Sequence, residues 1–260
     1  MKTPSCPKVI SMWSAPRSLS TVLLYSFAQH PDCRYFDEPF LWHYLKNAND
    51  FEMTGVETYL QSDLADAEKQ YASLFKQEPG KSFHYVKNMA CQWRGLNETW
   101  MDRFTHAFLI RSPEKMVASY LKNCATCCAD DFALDKLWKI YQRAETQGQP
   151  APVIDADDLL KNPELILRSL CRRFEILFYE CMLSWKAGNL PGNKWFSDDM
   201  PWYGEVLQST GFLKYDPGRK TAEIDARFRG VVDQIQPWYD ALYSRRITIQ
   251  DAEEIVSDGS

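Results

Sequence analysis

Five short apolar segments constrain the fold more than any other feature of the sequence. They span residues 8–13, 33–36, 82–86, 106–110 and 152–155, and a polar or charged residue ends or follows each of them. Apolar runs of this length are typical of buried strands. The stretches between them are mostly helical in pattern, and strands that alternate with helices favour βαβ units. The sequence therefore predicts an α/β fold with a central, mostly parallel sheet flanked by helices.

The length of the chain suits one large domain or two small ones, and a single domain over residues 1–260 is the prediction. The chain has 260 residues, of which 45% are hydrophobic and 25% are charged. A chain of this size can bury a core large enough to fold without disulfides or metals. We expect the core to span about residues 8–248 and the polar tail from Gln250 to fray.

Charge and hydropathy exclude several classes of partner. The net charge is −5, and no basic stripe interleaved with aromatic residues is present, which argues against nucleic acid. No apolar run approaches the roughly 18 residues needed to span a bilayer, and Met1 to Lys8 do not resemble a secretory signal. We therefore predict a cytoplasmic protein with reduced thiols and no membrane partner. The sequence leaves a homodimer open.

Three further stretches between and after the strands carry predictions. Residues 56–77 and 158–174 are each predicted to be helical, and residues 185–212, rich in Trp, Tyr, Gly and Pro, to form a long ordered loop or lid. On a helix, Cys124, Cys127 and Cys128 would share one face. A packed helix face is the favoured interpretation of this cluster, and a metal or redox site is the alternative.

Charged residues follow four of the predicted strands, at Arg17, Glu38, Lys87 and Arg111. In open parallel sheets, ligands bind beyond the carboxyl ends of the strands. We therefore expect these four side chains to converge on one ligand-binding edge.

The loop at residues 14–21 is suited to binding a phosphate. It lies between a predicted strand and a predicted helix, so backbone N–H groups and the helix dipole point into its hollow. Ser18, Ser20 and Thr21 add hydroxyl groups, and Arg17 adds a fixed positive charge. The loop has no Gly and no Lys, so the ATPase P-loop pattern is not met. The alternative is a Ser-rich helix cap beside an exposed arginine.

A second anion-binding element begins at Arg111. Pro113 suits the first position of a helix with Ser112 as its N-cap. Ser119 follows eight residues after Arg111, so the two side chains can meet at one anion. An arginine with a purely structural role is an equal alternative when this element is considered alone.

Together these elements resemble the sulfotransferase family that uses 3′-phosphoadenosine 5′-phosphosulfate (PAPS). In that family, a strand–loop–helix near the N-terminus holds the 5′-phosphosulfate and an R-x-P-x-x-x-x-x-S element holds the 3′-phosphate. The second element matches in full at Arg111, Pro113 and Ser119. The resemblance covers about residues 8–215 and is closest to bacterial-type small-molecule sulfotransferases. It implies a P-loop-like nucleotide-binding fold, PAPS as the donor and no metal.

The resemblance also implies roles for individual positions. Many family members have Lys and Gly where this chain has Arg17 and Leu19, a change that keeps the charge. Thr210 and Phe212 match a late segment that contacts adenine through a hydroxyl and an aromatic ring. The residues implied to bind the donor are Arg17, Ser18, Leu19, Ser20, Thr21, Arg111, Ser119, Thr210 and Phe212.

Sulfuryl transfer needs a cation for the charge that grows on the leaving phosphate, and Arg17 is the candidate. Lys87 is a second cation, which could steady the transferring sulfonate. One branch of the family uses a His in a K-x-H triplet as the base, but Met89 stands at that position here. A methionine cannot accept a proton, so that mechanism does not carry over.

Another branch uses a Glu in an E-P context, which Glu38 matches. Glu38 is therefore the predicted base for a hydroxyl or amine of a small-molecule acceptor, and His43 and His84 are weaker candidates. His43, Trp195 and Trp202 are the predicted acceptor-binding residues. The sequence does not identify the acceptor.

Two other functions compete with this one. A nucleotide-dependent phosphotransferase would keep the fold and change the reaction, but the missing P-loop Lys counts against it. A non-catalytic nucleotide-binding protein is the second alternative. It is favoured by Met89 and by Ala156, which replaces a Tyr of the family pattern.

Overall fold

Five parallel strands form the central sheet in the order β2-β3-β1-β4-β5. The computed structural model describes residues 6–48, 57–149, 151–191, 202–216 and 223–257. The strands are β1 Lys8–Ser14, β2 Cys33–Asp37, β3 Phe83–Met89, β4 Thr105–Ile110 and β5 Val153–Asp155. All five predicted strands are therefore confirmed, with bounds shifted by one to three residues.

Helices connect the strands and cover the sheet. They are α1 Ser20–Ala28, α2 Leu41–Lys46, α3 Glu57–Leu60, α4 Ala67–Leu74, α5 Pro113–Tyr120, α6 Ala129–Phe132, α7 Leu134–Thr146, α8 Ala156–Lys161, α9 Pro163–Arg173, α10 Gly204–Leu207, α11 Arg229–Tyr243 and α12 Ile249–Ser257. Short 3₁₀ turns lie at Asp63–Ala65, Ala90–Trp93, Glu98–Arg103, Glu180–Leu183 and Ala226–Phe228. None of the helices in these described ranges is long and apolar enough to cross a membrane.

The sheet has a hydrophobic core on each face. Successive side chains of a strand point to opposite faces, and β1 follows this rule. Ile10 and Met12 pack in one cluster with α1 and α9, whereas Val9 and Trp13 pack in the other with α7 and α11. Because both faces are covered, residues of β1, β3, β4 and β5 are buried almost throughout rather than alternately buried and exposed.

Several helix predictions were wrong. Residues 158–174 form two helices, because the Asn162 side chain accepts a hydrogen bond from the Leu165 amide and starts α9, with Pro163 at its first position. Helix formation over 57–77 is likewise interrupted, at Ser62 and Asp66, whose side chains cap the next turns. The tail from Gln250 does not fray through 257, since it belongs to α12, which packs on α9 and buries Ala252.

The cysteine cluster does not lie on a helix. Helix α5 ends at Tyr120, and Cys128 is the N-cap of α6, so Cys124 and Cys127 lie in the loop between them. Each of the three thiols is free.

Candidate active site

The loop after β1 forms a hollow at the N-terminus of α1. Arg17 and Leu19 both have positive φ, 65° and 70°, which is the left-handed region that non-glycine residues rarely adopt. The buried Ser18 hydroxyl donates to the Ala15 carbonyl oxygen at 2.6 Å. The N-cap residue Leu19 makes no side-chain capping hydrogen bond, and none from another described residue reaches the first N–H groups of α1, which are therefore available to a ligand. Ser20 and Thr21 lie at the first two helical positions.

Arg17 is held between two other elements. Its Nε donates to the Ser119 hydroxyl on α5 at 3.0 Å, and its Nη1 donates to the Trp202 carbonyl oxygen at 3.0 Å. The guanidinium also lies 5.4 Å from the centre of a Trp202 ring, a cation–π arrangement. Burial lowers the pKa of Arg17, and Glu205 and Tyr203 oppose that shift. An arginine stays charged even so.

Arg111 follows β4 and reaches the same loop. Its Nη1 donates to the Arg17 carbonyl oxygen at 2.8 Å. Its Nε is buried and has no hydrogen-bond partner among the described residues. Burial lowers the pKa of Arg111, while Asp157 raises it. A buried guanidinium with an unused donor is suited to an anion that the protein does not itself supply.

These elements enclose a cavity of about 300 Å³. The predicted donor-binding residues among its walls are Arg17, Leu19, Ser20, Thr21, Arg111 and Ser119, and Trp202 lines it too. Ser18 is buried beneath the loop instead. The sequence analysis missed three lysines of the cavity wall, Lys115, Lys122 and Lys214.

Thr210 and Phe212 do not line this cavity. The Thr210 carbonyl oxygen accepts from the Trp185 amide, and the Phe212 ring packs edge-on against Trp185 with 5.4 Å between ring centres. Leu213 to Asp216, the next residues along the chain, form the wall instead. Trp202, predicted for the acceptor pocket, lies against Arg17. Trp195 falls outside the described residues.

A second cluster lies at the carboxyl ends of β2 and β3. Lys87 Nζ donates to Asp37 Oδ1 at 2.9 Å, to Glu38 Oε1 at 2.7 Å and to the Tyr203 hydroxyl at 3.0 Å. Lys87 is 2% exposed, Asp37 0% and Glu38 14%. Burial alone would lower the pKa of Lys87, but the two carboxylates outweigh it and raise that pKa well above its ordinary value.

The backbone of Glu38 is strained, and both oxygens of its carboxylate accept hydrogen bonds. Its φ is 47°, although glutamate has no special tolerance for the left-handed region. Oε1 accepts from Lys87, and Oε2 accepts from Gln92 Nε2 in the 3₁₀ turn after β3. Gln92 gave no signal in the sequence, because nothing local ties an amide at position 92 to a carboxylate at 38.

The other candidate bases lie elsewhere. The ring of His84 is buried in β3, with Nδ1 2.6 Å from the Leu74 carbonyl oxygen. His43 is half-buried on α2, where its carbonyl oxygen accepts from the Asn47 amide at 2.7 Å. Met89 Sδ accepts from the Ser14 hydroxyl at 3.3 Å. Across the described ranges, no three His, Cys, Asp or Glu side chains are grouped to hold a metal ion.

Comparisons with known proteins agree with this architecture. The chain is 38% identical to "Branched-chain-amino-acid aminotransferase-like protein 1" of Arabidopsis thaliana over 239 residues, which are 92% of this chain and 42% of that protein. It is 34% identical to "Branched-chain-amino-acid aminotransferase-like protein 2" of the same plant over 242 residues, 90% of this chain and 41% of that one. The chain thus spans about two fifths of the length of these curated relatives.

The sulfotransferase domain of the Synechococcus PCC 7002 olefin synthase has the same fold. It superposes with a TM-score of 0.50 at 17% identity and covers 91% of this chain and 98% of its own. The predicted P-loop-like sulfotransferase fold is therefore confirmed. The model of the family described as "Sulfotransferase domain" matches residues 8–246. The chain belongs to the sulfotransferase family.

Proposed function

We propose that this chain transfers the sulfuryl group of PAPS to a hydroxyl or amine of a small-molecule acceptor, with Glu38 as the base. The observation that carries the donor assignment is the pair of guanidinium groups from neighbouring strands, Arg17 after β1 and Arg111 after β4, at one cavity. The Nε of Arg111 has no partner in the described part of the protein, and a phosphate oxygen would satisfy it.

The charge of the cavity wall supports a polyanionic donor. Five cationic side chains line the cavity, against three carboxylates, although the whole chain has a net charge of −5. Two of the carboxylates are paired, Asp157 with Lys115 at 2.5 Å and Glu205 with Lys122 at 3.4 Å. The excess positive charge therefore belongs chiefly to the two arginines and Lys214.

In the proposed reaction, the acceptor oxygen or nitrogen forms a bond to sulfur while the bond from sulfur to the phosphate oxygen breaks. Glu38 takes the proton that the acceptor loses, and 3′,5′-ADP leaves with the bonding electron pair. Arg17 and the N–H groups at the start of α1 stabilise the negative charge on the leaving phosphate. Lys87 has its three N–H bonds directed at protein oxygens, so it orients the Glu38 carboxylate.

The donor assignment is tested by thermal stabilisation. We expect 3′,5′-ADP to raise the melting temperature more than 5′-ADP, AMP or ATP at equal concentration. A ligand that binds only the folded state adds about 2.7 kcal/mol at a hundredfold excess over Kd. Arg111→Ala should abolish the selective shift, and Arg168→Ala, at an exposed pair on α9, should retain it.

The other outcomes separate the alternatives. Equal stabilisation by ATP would favour the phosphotransferase, and no stabilisation by any nucleotide would overturn the donor assignment. Turnover is then followed as conversion of PAPS to 3′,5′-ADP with a panel of phenols, alcohols and amines. Glu38→Gln should lower kcat by about 10²-fold or more, as loss of a general base does. Selective binding without turnover would favour a non-catalytic nucleotide-binding protein.

A further inference from the structure

Tyr203 places a buried hydroxyl inside the Lys87 cluster. It is the N-cap residue of α10, and 6% of it is exposed. Its oxygen lies 3.0 Å from Lys87 Nζ, 3.3 Å from Asp37 Oδ2 and 3.4 Å from Glu38 Oε1. Burial raises the pKa of Tyr203 well above its ordinary value, and Asp37 adds to that shift while Lys87 opposes it. The phenol therefore keeps its proton.

The hydrogen bonds of this cluster follow from its donors. An ammonium group has three N–H bonds and accepts none, and among the described residues Lys87 donates to Asp37, Glu38 and Tyr203. The Tyr203 oxygen must therefore accept from Lys87. The phenol proton is then directed at a carboxylate oxygen of Asp37 or Glu38. The hydroxyl thus completes the coordination of Lys87 and donates to the acidic pair.

The contact between Tyr203 and Glu38 matters because of how the Glu38 carboxylate is held. The backbone of Glu38 lies in the left-handed region, and among the described residues its carboxylate is held by Lys87 from β3, Gln92 from the turn after β3 and Tyr203 from α10. Of these contacts, that of Tyr203 alone comes from beyond the β2–β3 region.

The residue before Tyr203 contacts the other half of the site. The carbonyl oxygen of Trp202 accepts from Arg17 Nη1, and its ring lies over the same guanidinium. Residues 202 and 203 therefore join the arginine at the donor cavity to the carboxylate at the end of β2 through two consecutive positions of the chain.

We propose that Tyr203 is a positioning residue for sulfuryl transfer, which orients the Glu38 carboxylate through Lys87 and by its own hydroxyl. This inference rests on the proposed function, because it takes Glu38 as the base. Tyr203 acts on the base and not on the donor, since the contacts with Arg17 belong to Trp202.

The test is Tyr203→Phe, with Tyr85→Phe as the matched control. Tyr85 is also buried, but its hydroxyl has no hydrogen-bond partner in the described part of the chain, so the control removes a buried hydroxyl without removing a hydrogen bond seen there. With radiolabelled PAPS, we expect Tyr203→Phe to lower kcat about tenfold, the effect of one hydrogen bond to a charged group. The KM for PAPS and the Kd for 3′,5′-ADP should stay within twofold of wild type. Tyr85→Phe should retain the wild-type kcat.

A double variant distinguishes positioning from damage to the fold. If Tyr203 acts through Glu38, adding Tyr203→Phe to Glu38→Gln should lower the residual turnover no further. A further tenfold loss in the double variant, or a rise in the Kd for 3′,5′-ADP in Tyr203→Phe, would overturn the inference. Full activity of Tyr203→Phe beside an impaired Glu38→Gln would overturn the inference alone. No PAPS turnover by the wild-type protein, or full activity of Glu38→Gln, would overturn the proposed function and the inference together.

Discussion

Three of the non-glycine residues with positive φ lie in the candidate site: Arg17 at 65°, Leu19 at 70° and Glu38 at 47°. A side chain in this region costs roughly 1–2 kcal/mol per residue. Such strain persists where surrounding contacts impose it, and it is concentrated at binding and catalytic positions. Here the contacts are those of Arg17 with Ser119 and Trp202, and of Glu38 with Lys87 and Gln92. These contacts thus hold Arg17 and Glu38 in strained conformations with their side chains directed at the site.

Lys87 is the cation that pairs with both carboxylates of the second cluster. Its removal gives a prediction for the free energy of unfolding at the scale of a single residue. Lys87→Met leaves Asp37 and Glu38 buried without their cation. Removing one partner of a buried pair costs about 3–5 kcal/mol, so we expect a loss of that size in the free energy of unfolding, measured by urea denaturation. Adding Asp37→Asn should recover part of the loss, because one buried charge is removed.

The control for Lys87→Met makes the same chemical change at an exposed site. Lys139 pairs with Asp135 along α7 at 3.5 Å and is 72% exposed. Pairs of this kind contribute at most about 1 kcal/mol, so Lys139→Met should alter the free energy of unfolding by less than that. Equal losses in the two variants would contradict the role assigned to Lys87.

At the scale of elements, the strands were predictable because each is a short apolar run with polar ends. The helices were less predictable, because a polar residue inside a helical pattern can cap and start a new helix. Asn162 and Pro163 divide the predicted helix 158–174, and Cys124 lies in a loop since α5 ends at Tyr120. Burial of Ala252 against the rest of the fold, which no local pattern reports, keeps α12 in place.

The residues of the candidate site also divide into those that a local motif predicts and those that no local motif predicts. Arg17, Arg111 and Ser119 carry local motifs, so the sequence could predict that they lie together, and they line one cavity. Gln92 has no local motif, and Tyr203 is one aromatic residue among many in its stretch. Both reach Glu38 from distant positions, so only the folded chain brings them together.

The junction between α6 and α7 gives a prediction for one element. Ala133 is buried and has φ 48° and ψ 36° at the N-cap of α7. Glycine adopts this conformation freely and is preferred to alanine at an N-cap. Ala133→Gly relieves about 1–2 kcal/mol of strain but deletes a buried methyl group and adds freedom to the unfolded chain, so the free energy of unfolding should stay within about 0.5 kcal/mol of wild type. Ala144→Gly, in the interior of α7, should lower it by about 1 kcal/mol. Equal losses in the two variants would contradict the assigned backbone strain.

Across the whole molecule, the strand order explains why the two halves of the site meet. β1 lies at the centre, with β3 on one side and β4 on the other. Its carboxyl end therefore faces both Lys87 of β3 and Arg111 after β4. In open α/β sheets this crevice is the usual ligand site, and here the chain adds residues 202 and 203 as a direct contact between its two sides.

Two buried groups have pKa values that are shifted in opposite directions, and they predict how the stability of the whole fold depends on pH. Burial lowers the pKa of His106 from 6.5 to about 4, and its Nδ1 accepts from Trp13 Nε1 at 2.9 Å, which requires the neutral ring. Burial raises the pKa of Asp155 from 3.8 to about 6, despite hydrogen bonds from the Asp157 amide and the Tyr239 hydroxyl.

The signs of these two effects are opposite. The stability due to neutral His106 is fully present above pH 6.5 and is lost as the pH falls through about 4. The stability due to protonated Asp155 is fully present below pH 3.8 and is lost as the pH rises through about 6. Each is worth about 3 kcal/mol at most. The two effects largely cancel. Burial also lowers the pKa values of His30 and His84, so the fold as a whole loses stability on acidification.

The measurement is the free energy of unfolding between pH 4 and pH 7 for three proteins. The wild type should lose stability only gently as the pH falls. Asp155→Asn, which keeps an oxygen for the Asp157 amide, removes the opposing effect, so its stability should fall more steeply between pH 6.5 and 4. His106→Gln removes the larger histidine effect, so its stability should instead rise, or stay level, over the same interval. Parallel pH profiles for the three proteins would contradict the protonation states assigned to both groups in the folded chain.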